Sequence, residues 1–338
     1  MPTSSLRSTT SLKRRHRSPA LPAQAHETRR DRIRRFLKVA AKVLVAIVVA
    51  LTIASFAYNL ATNGRYKSAQ QLYPGPFVRV DGTLLAYRRW GRAGTPIVLL
   101  GGAAEPSWVW HEVGPLLGRD HRVFALDIPP FGFSQRRGPY TIAHWTQLVD
   151  GFDRRLRLKR PLVVGHSLGA GTAVLYALDH PSATRGIALL DGDAFPVGGP
   201  GFLAHLLLPP WYTSLYRIAT GSDWIIRRVL RGAWPHANVT HAVLEQFEAP
   251  FRVVGTDGAF KSMLGNGIQG VTRFDLEHVR APRIVIWGAG DTVDSVTAGR
   301  KTASILHAPF VLIPNAGHLS MLGNPDAVAA AIERFDKR

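Results

Sequence analysis

Residues 161–169 read PLVVGHSLG, and this stretch decides the fold. Its apolar first half predicts a buried strand, and the segment that follows, residues 168–179, predicts a helix. The serine between them lies in a G-x-S-x-G pattern, which in a strand–turn–helix context is the pattern of a nucleophile elbow. Such a turn is too tight for bulky side chains two positions before or after the serine, which accounts for Gly165 and Gly169. We therefore predict that Ser167 is a nucleophile, held above the strand at the positive end of a helix dipole.

A serine hydroxyl is a weak nucleophile until a neighbouring base activates it. The chain has 13 histidines. Among them, His318 follows the last predicted strand directly, in the sequence Asn315-Ala316-Gly317-His318-Leu319, and we predict that it is this base. His166 is interpreted as a support of the elbow.

A third group must hold the imidazole in the correct tautomer. Asp291 closes the sequence Gly288-Ala289-Gly290-Asp291, just past the predicted strand at 283–287, and gives the chain order Ser…Asp…His. We predict that Asp291 is this acid. Three other aspartates remain open for the same role: Asp294, Asp191 and Asp193.

Beyond residue 76, short apolar runs alternate with helical stretches, a pattern typical of a mostly parallel sheet with helices on both faces. Asp81-Gly82 is a hairpin signal between the first two strands. The predicted strands are Phe77–Val80, Leu84–Trp90, Ile97–Leu100, Arg122–Leu126, Leu162–Val164, Gly186–Leu190, Arg283–Trp287 and Phe310–Ile313. Residues 195 to about 275 contain no clear strand and many apolar side chains. They predict an inserted helical lid, because the segment is too long for a plain connection.

The first 42 residues carry twelve Lys and Arg side chains and two acidic ones, in a chain of net charge +19. Residues 1–35 are predicted to be a disordered basic tail. Residues 39–61 are almost wholly apolar and long enough to span a bilayer. Residues 62–75 are predicted to be a linker, and residues 76–338 the folded domain.

The position of the basic residues beside the apolar span favours a single-pass cell-membrane anchor, with the N-terminus cytoplasmic and the folded domain outside the cytoplasm. Export followed by cleavage near Ser55-Phe56-Ala57 is the alternative. The chain has no cysteine, which excludes disulfides, cysteine-ligated zinc and a cysteine nucleophile. Because the basic residues adjoin the span, we expect them to face membrane lipid, and we expect no nucleic-acid partner.

Residues from about 76 to 335 resemble the α/β-hydrolase superfamily, in the branch of serine esterases, carbon–carbon bond hydrolases and cofactor-free haloperoxidases. The resemblance rests on the elbow, on Gly288–Asp291, on Gly317-His318 and on the stretches 99–102 and 127–134. It implies that the backbone N–H groups of Leu168 and Ala103 form an oxyanion hole. Two positions depart from the family pattern, Gly101 where histidine is common and Pro130 where glycine is common.

The predicted function is therefore a membrane-anchored serine hydrolase that cleaves an ester or related acyl bond through an acyl-enzyme. We expect a hydrophobic acyl substrate, membrane lipid around the N-terminal helix, and no metal or organic cofactor. An acyltransferase, a carbon–carbon hydrolase or a cofactor-free peroxidase with the same three residues remain alternatives. A catalytically silent binding protein is the alternative of another class, against which the complete set of three residues speaks.

Overall fold

The computed structural model describes residues 28–196, 210–267 and 270–337. The chain divides into two compact units, Met1–Leu51 and Thr52–Arg338. The strands are β1 (Phe77–Val80), β2 (Thr83–Trp90), β3 (Pro96–Leu100), β4 (Arg122–Leu126), β5 (Leu162–His166), β6 (Gly186–Leu190), β7 (Arg283–Gly288) and β8 (Phe310–Ile313). The helices before β6 are α1 (Arg29–Thr62), α2 (Ala69–Leu72), α3 (Val113–Leu117), α4 (Ile142–Leu156) and α5 (Leu168–Asp179).

Five described helices lie between β6 and β7, and three lie after β7. The first group is α6 (Trp211–Thr220), α7 (Asp223–Ala233), α8 (His241–Glu248), α9 (Thr256–Asn266) and α10 (Arg273–His278). The second group is α11 (Val296–Leu306), α12 (Ser320–Gly323) and α13 (Pro325–Asp336).

The eight strands form one sheet in the order β1-β2-β4-β3-β5-β6-β7-β8. The β1–β2 and β2–β4 pairs are antiparallel, and every later pair is parallel. The sheet is therefore mostly parallel, as predicted. Since β5, β6, β7 and β8 are neighbours, the loops after their carboxyl ends meet at one edge of the sheet.

Both faces of the sheet are buried, because successive side chains of a strand point to opposite faces. In β3, Val98 and Leu100 join one apolar cluster, whereas Ile97 and Leu99 join the other. Helices α4, α5 and α11 pack on the first face, and α3 and α13 on the second. This two-sided burial explains the continuous apolar runs in the strand sequences.

The described part of the segment between β6 and β7 consists of helices and the loops that join them, and residues 197–209 and 268–269 lie outside the described residues. Leu230 and Phe247 bury their side chains in the second apolar cluster, and Met263 lies in the first. The inserted helices are therefore packed onto the core of the domain. Their action as a lid stays a prediction.

The N-terminal helix begins earlier than the sequence predicted. The predicted tail is wrong for residues 29–35, which are helical, while residues 1–27 lie outside the described residues. The cause is a helix start at Thr28, whose hydroxyl accepts a hydrogen bond from the Asp31 N–H at 3.2 Å. Asp31 also places a negative charge in the first turn, where the helix dipole favours it.

Residues 62–75, predicted to be a linker, are packed onto the folded domain. They form a 3₁₀ turn, Asn63–Arg65, and α2. The Lys67 N–H donates to the Arg252 carbonyl at 3.0 Å, and the Lys67 carbonyl accepts from the Val254 N–H at 3.0 Å. Tyr73 stacks on Phe133 with ring centroids 4.9 Å apart. The buried apolar side chains of this segment, which its turn-rich ending obscured, explain why the linker prediction was wrong.

Candidate active site

Ser167 lies between the last residue of β5 and the first residue of α5, with φ 48° and ψ −119°. A Cβ atom at Gly165 would lie 2.2 Å from the Gly169 carbonyl oxygen, and one at Gly169 would lie 2.8 Å from the Gly101 oxygen. A Cβ at Gly192 would lie 2.4 Å from the Ser167 carbonyl oxygen. The glycines at 165 and 169 are thus required for the reason given by the sequence. Gly192 is a third such position, which no local pattern indicated.

The three side chains predicted to act together are hydrogen-bonded in series. The His318 Nε2 atom lies 3.1 Å from the Ser167 hydroxyl oxygen, and the His318 Nδ1 atom lies 2.9 Å from Asp291 Oδ2. Ser167 follows β5, Asp291 follows β7 and His318 follows β8. His318 and Asp291 are buried, whereas Ser167 is partly exposed. A base within reach of a hydroxyl, itself oriented by a carboxylate, is the arrangement that activates a serine.

Asp291 is fixed by its own loop as well as by His318. Its Oδ1 atom accepts from the N–H groups of Val293 at 2.9 Å and Asp294 at 3.0 Å. These bonds hold the Asp291 side chain in place and leave Oδ2 directed to the imidazole.

The three alternative acids have other partners. Asp191 is fully buried and accepts from the Gly288 N–H at 2.6 Å and from the Ser320 hydroxyl. Burial raises the pKa of Asp191 to about 7, although the charge of His166 acts to lower it. Asp193 Oδ1 accepts from the Phe195 N–H at 3.0 Å. Burial likewise raises the pKa of Asp294, whose carbonyl accepts from the Trp287 indole at 3.2 Å. None of these carboxylates hydrogen-bonds to His318.

His166 connects the elbow to two loops. Its Nδ1 atom lies 2.8 Å from Glu105 Oε2, and its Nε2 atom donates to the His318 carbonyl at 2.8 Å. Glu105 Oε2 also accepts from the Gly102 N–H at 2.7 Å. Glu105 therefore holds the loop after β3, where the family's histidine is absent. Sequence reasoning missed this residue, because its partner lies 61 residues away.

The Glu105–His166 pair is a buried ion pair. Burial acts to lower the pKa of His166, but the charge and hydrogen bond of Glu105, with smaller contributions from Asp191 and the His318 carbonyl, raise that pKa to about 9. Burial acts to raise the pKa of Glu105, but the charge and hydrogen bond of His166, with the Gly102 N–H, lower that pKa. Both groups are thus charged near neutral pH.

We expect the domain to lose stability above neutral pH because of His166. Its raised pKa belongs to the folded state, so the stabilisation is complete below the unfolded-state pKa of about 6.5 and is lost as the pH rises through about 9. The loss should be about 3 kcal/mol, the free-energy equivalent of the difference between about 6.5 and about 9. The measurement is chemical unfolding, followed by tryptophan fluorescence, from about pH 6 to about pH 10. Glu105→Gln should remove this slope, whereas Glu112→Gln, an exposed neighbour, should keep it; equal slopes in all three would contradict the assignment.

The loop after β3 passes directly over the nucleophile. A Cβ at Gly102 would lie 2.8 Å from the Ser167 Cβ, and Ala103 is the next residue. Leu168 is the first residue of α5, where backbone N–H groups have no partner within the helix. The two N–H groups that the resemblance implied as an oxyanion hole thus belong to segments that adjoin Ser167.

The Asp127 carboxylate connects the loop after β3 to the loop after β4. It accepts from the N–H groups of Ser107 at 2.5 Å and Phe133 at 2.8 Å. Gly132 has φ 55°, and a Cβ there would lie 2.0 Å from the Asp127 carboxyl carbon. Pro130 lies buried in this turn. Among the described residues, no group of three or more His, Asp or Glu side chains could hold a metal ion.

Comparisons with known proteins agree with this architecture. Residues 95–325, more than half of the chain, match the family model described as the alpha/beta hydrolase fold. An uncharacterised hydrolase of Bacillus subtilis is 23% identical over 274 residues, which are 76% of this chain and 96% of that protein. The 2-hydroxy-6-oxo-2,4-heptadienoate hydrolase of Pseudomonas putida is 34% identical over 103 residues, 29% of this chain and 37% of its own length. The crystal structure of a bacterial membrane phospholipase A superposes with a TM-score of 0.63 and 22% identity, over 89% of this chain and 97% of that one.

Proposed function

The chain belongs to the α/β-hydrolase family, and on that premise we propose that it is a serine hydrolase that cleaves a carboxylic ester at a membrane surface. The observation that carries the proposal is the hydrogen-bonded series from Ser167 through His318 to Asp291, at 3.1 and 2.9 Å. A hydroxyl, a base and an orienting carboxylate in this order perform acyl transfer on several unrelated folds.

The proposed reaction has two halves. The Ser167 oxygen attacks the carbonyl carbon while His318 takes the hydroxyl proton, and the alcohol leaves with that proton. A water molecule then gives its proton to His318 and attacks the acyl carbon. The bond from that carbon to the Ser167 oxygen breaks, the acid leaves, and His318 returns the proton to the Ser167 oxygen. The N–H groups of Leu168 and Ala103 would stabilise the negative oxygen in both halves, by about 3 kcal/mol for each donor.

The test is labelling of the full chain, solubilised in mild detergent, with a fluorophosphonate probe that reacts with activated serines. Wild type should be labelled and Ser167→Ala should not. Ser304→Ala is the matched control, because Ser304 is exposed on α11, and its labelling should equal that of wild type. A folded wild type that takes no label would contradict the proposal. Wild type that has not been exposed to the probe would then be assayed with p-nitrophenyl esters of increasing chain length.

Membrane anchoring is part of the proposal. Helix α1 is long and apolar enough to cross a bilayer. Its most apolar 18 residues have a mean hydropathy of 2.4, and none of them is buried against the rest of the protein. Helices α6 and α7 expose four large apolar side chains, which favours a lipid neighbour. They are Leu215, Ile218, Trp224 and Val229.

Retention of the helix is favoured over cleavage near Ala57. The Ser214 hydroxyl donates to the Ser55 carbonyl at 3.3 Å, and the Asn59 amide donates to the Pro210 carbonyl at 3.0 Å. Cleavage after Ala57 would remove the first of these contacts with α6. Since α6 belongs to the inserted helices, the uncleaved helix would hold them to the anchor.

The full chain should stay with the membrane fraction after an alkaline carbonate wash, because an apolar span resists extraction. A reporter fused after residue 75 that works only outside the cytoplasm should be active, in line with the basic residues before the span. Activity of a reporter that works only inside the cytoplasm would contradict the topology.

A carbon–carbon hydrolase is the second candidate. It is favoured by the 34% identity to the Pseudomonas heptadienoate hydrolase over 103 residues. The same three residues would serve both reactions. Turnover of 2-hydroxy-6-oxo-2,4-heptadienoate by the wild type, with p-nitrophenyl esters left uncleaved, would favour the second candidate over the first.

A further inference from the structure

A cavity lies where the end of α1 meets the inserted helices, and neither Ser167 nor His318 lines it. Its volume is about 240 Å³. It is lined by the last turn of α1, the 3₁₀ turn that follows, the corner between α6 and α7, and the end of α8. Five charged side chains face it, and they are Arg65, Arg217, Arg252, Asp223 and Glu248. None of them has a part in the proposed acyl transfer.

Arg217 is held rigidly with one donor unused. Its Nη1 group donates to the Asn59 carbonyl at 2.6 Å and to the Thr62 hydroxyl at 2.9 Å. Its guanidinium lies over the Tyr66 ring, 4.1 Å from the centroid. The Arg217 Nε atom is buried and has no hydrogen-bond partner. A buried donor of a charged group without an acceptor is unfavourable, so a ligand oxygen at this point would be stabilised.

Glu248 has an oxygen that lacks a hydrogen-bond donor, just as Arg217 has a nitrogen that lacks an acceptor. Its Oε1 atom is buried and has no hydrogen-bond partner. Burial, and then the neighbouring Asp223 carboxylate, raise the pKa of the Glu248 carboxyl. Arg252 does not fully compensate these two acids, because it forms an ion pair with Glu245. The acidic side of the cavity therefore favours a ligand with positively charged N–H donors.

The position of the cavity along the chain indicates the source of such a ligand. Tyr58 and Thr62 line it, and they lie at the end of the span predicted over residues 39–61. The end of a membrane span lies at the level of the lipid head groups. Tyr58 and Tyr66 also fit that level, where tyrosine is enriched.

We propose that this cavity binds the head group of a membrane phospholipid that carries a primary ammonium, with its phosphate against Arg65 and Arg217 and its ammonium against Asp223 and Glu248. The proposal rests on the membrane anchoring proposed above. A lipid bound there would join α1 to the α6–α7 corner and hold the inserted helices at the bilayer surface. A phosphoethanolamine group from solution has the same chemistry, so the experiment must separate the two sources.

The experiment is native mass spectrometry of the delipidated full chain in mild detergent, titrated with phosphatidylethanolamine, phosphatidylcholine and phosphatidylglycerol of identical acyl chains. Phosphatidylethanolamine should bind at least about tenfold more tightly than the other two, since each lacks one charge-assisted contact. Glu248→Gln should remove this preference, because Glu248 faces the ammonium. Arg65→Gln should weaken the binding of all three lipids and keep the preference, because Arg65 faces the phosphate that they share. Arg228→Gln, an exposed arginine of α7 outside the proposed contacts, should keep both the affinity and the preference. Circular dichroism and thermal unfolding would establish that each variant is folded.

Three outcomes would overturn the proposal: equal affinity of the wild type for the three lipids, an unchanged preference in folded Glu248→Gln, or unchanged lipid affinity in folded Arg65→Gln. Binding of soluble O-phosphoethanolamine as tight as that of the lipid would overturn the membrane source. The same wild-type preparation is tested with the fluorophosphonate probe and by membrane fractionation. If the protein takes the label and stays with the membrane but shows no lipid preference, only the proposal of the head-group site is overturned. A protein that takes no label would instead remove the hydrolase proposal.

Discussion

Replacement of His318 with alanine should lower kcat for ester hydrolysis by about a million-fold. The reason is the 3.1 Å contact between His318 Nε2 and the Ser167 hydroxyl, which is the path by which the proton leaves the nucleophile. No other described histidine hydrogen-bonds to Ser167, so none can replace it. The measurement is steady-state hydrolysis of the best p-nitrophenyl ester by wild type and His318→Ala. His241→Ala, at an exposed position in α8, is the matched control and should retain wild-type kcat.

The double variant gives the sharper test. If Ser167 and His318 act as one unit, removal of both should lower kcat no further than removal of either one. The residual rate would then come from binding and from the backbone N–H groups at Ala103 and Leu168. If the fold-losses in kcat of the two single variants multiply in the double variant, the two residues act independently. That result would contradict the shared proton transfer.

The sequence predicted the positions of these residues because each follows an element that local pattern reveals. Ser167 follows the apolar run of β5, and α5 has the bounds predicted for it, Leu168–Asp179. Asp291 and His318 follow β7 and β8, whose apolar runs are equally clear. The parallel arrangement then brings their loops together. The order of strands in the sheet was not predicted, since strand pairing depends on contacts far apart in the chain.

The role of Glu105 could not be predicted from the local sequence pattern. Nothing around it in the sequence marks it as charged and buried, because its environment comes from His166 and from the Gly102 backbone. Gly192 is similar, since only the approach of the Ser167 backbone requires a glycine there. The packing of residues 62–75 was missed for the same reason: their partners, such as Val253, lie in the segment between β6 and β7. In each case the missing information is a tertiary contact rather than a local propensity.

Asp291→Asn should lower kcat by about ten thousand-fold while the fold is retained. The asparagine oxygen can still accept from the N–H groups of Val293 and Asp294, so the loop keeps its hydrogen bonds. The amide cannot stabilise the imidazolium, and its N–H₂ group favours the wrong tautomer of His318. The measurement is kcat with the same ester, with thermal unfolding as the check on folding.

Asp294→Asn and Asp193→Asn decide whether the acid is correctly assigned. The contact from Asp294 to Trp287 uses its backbone carbonyl, and Asp193 caps a turn through Phe195, so neither carboxylate supports His318 directly. Both variants should therefore keep kcat within about threefold of wild type, which is less than the effect of one lost hydrogen bond. Asp191→Asn would lose stability rather than kcat, because its carboxylate accepts from Ser320 and Gly288 inside the core. A ten thousand-fold loss in Asp294→Asn, with Asp291→Asn near wild type, would move the role of the acid to Asp294, because the base needs only one carboxylate at Nδ1.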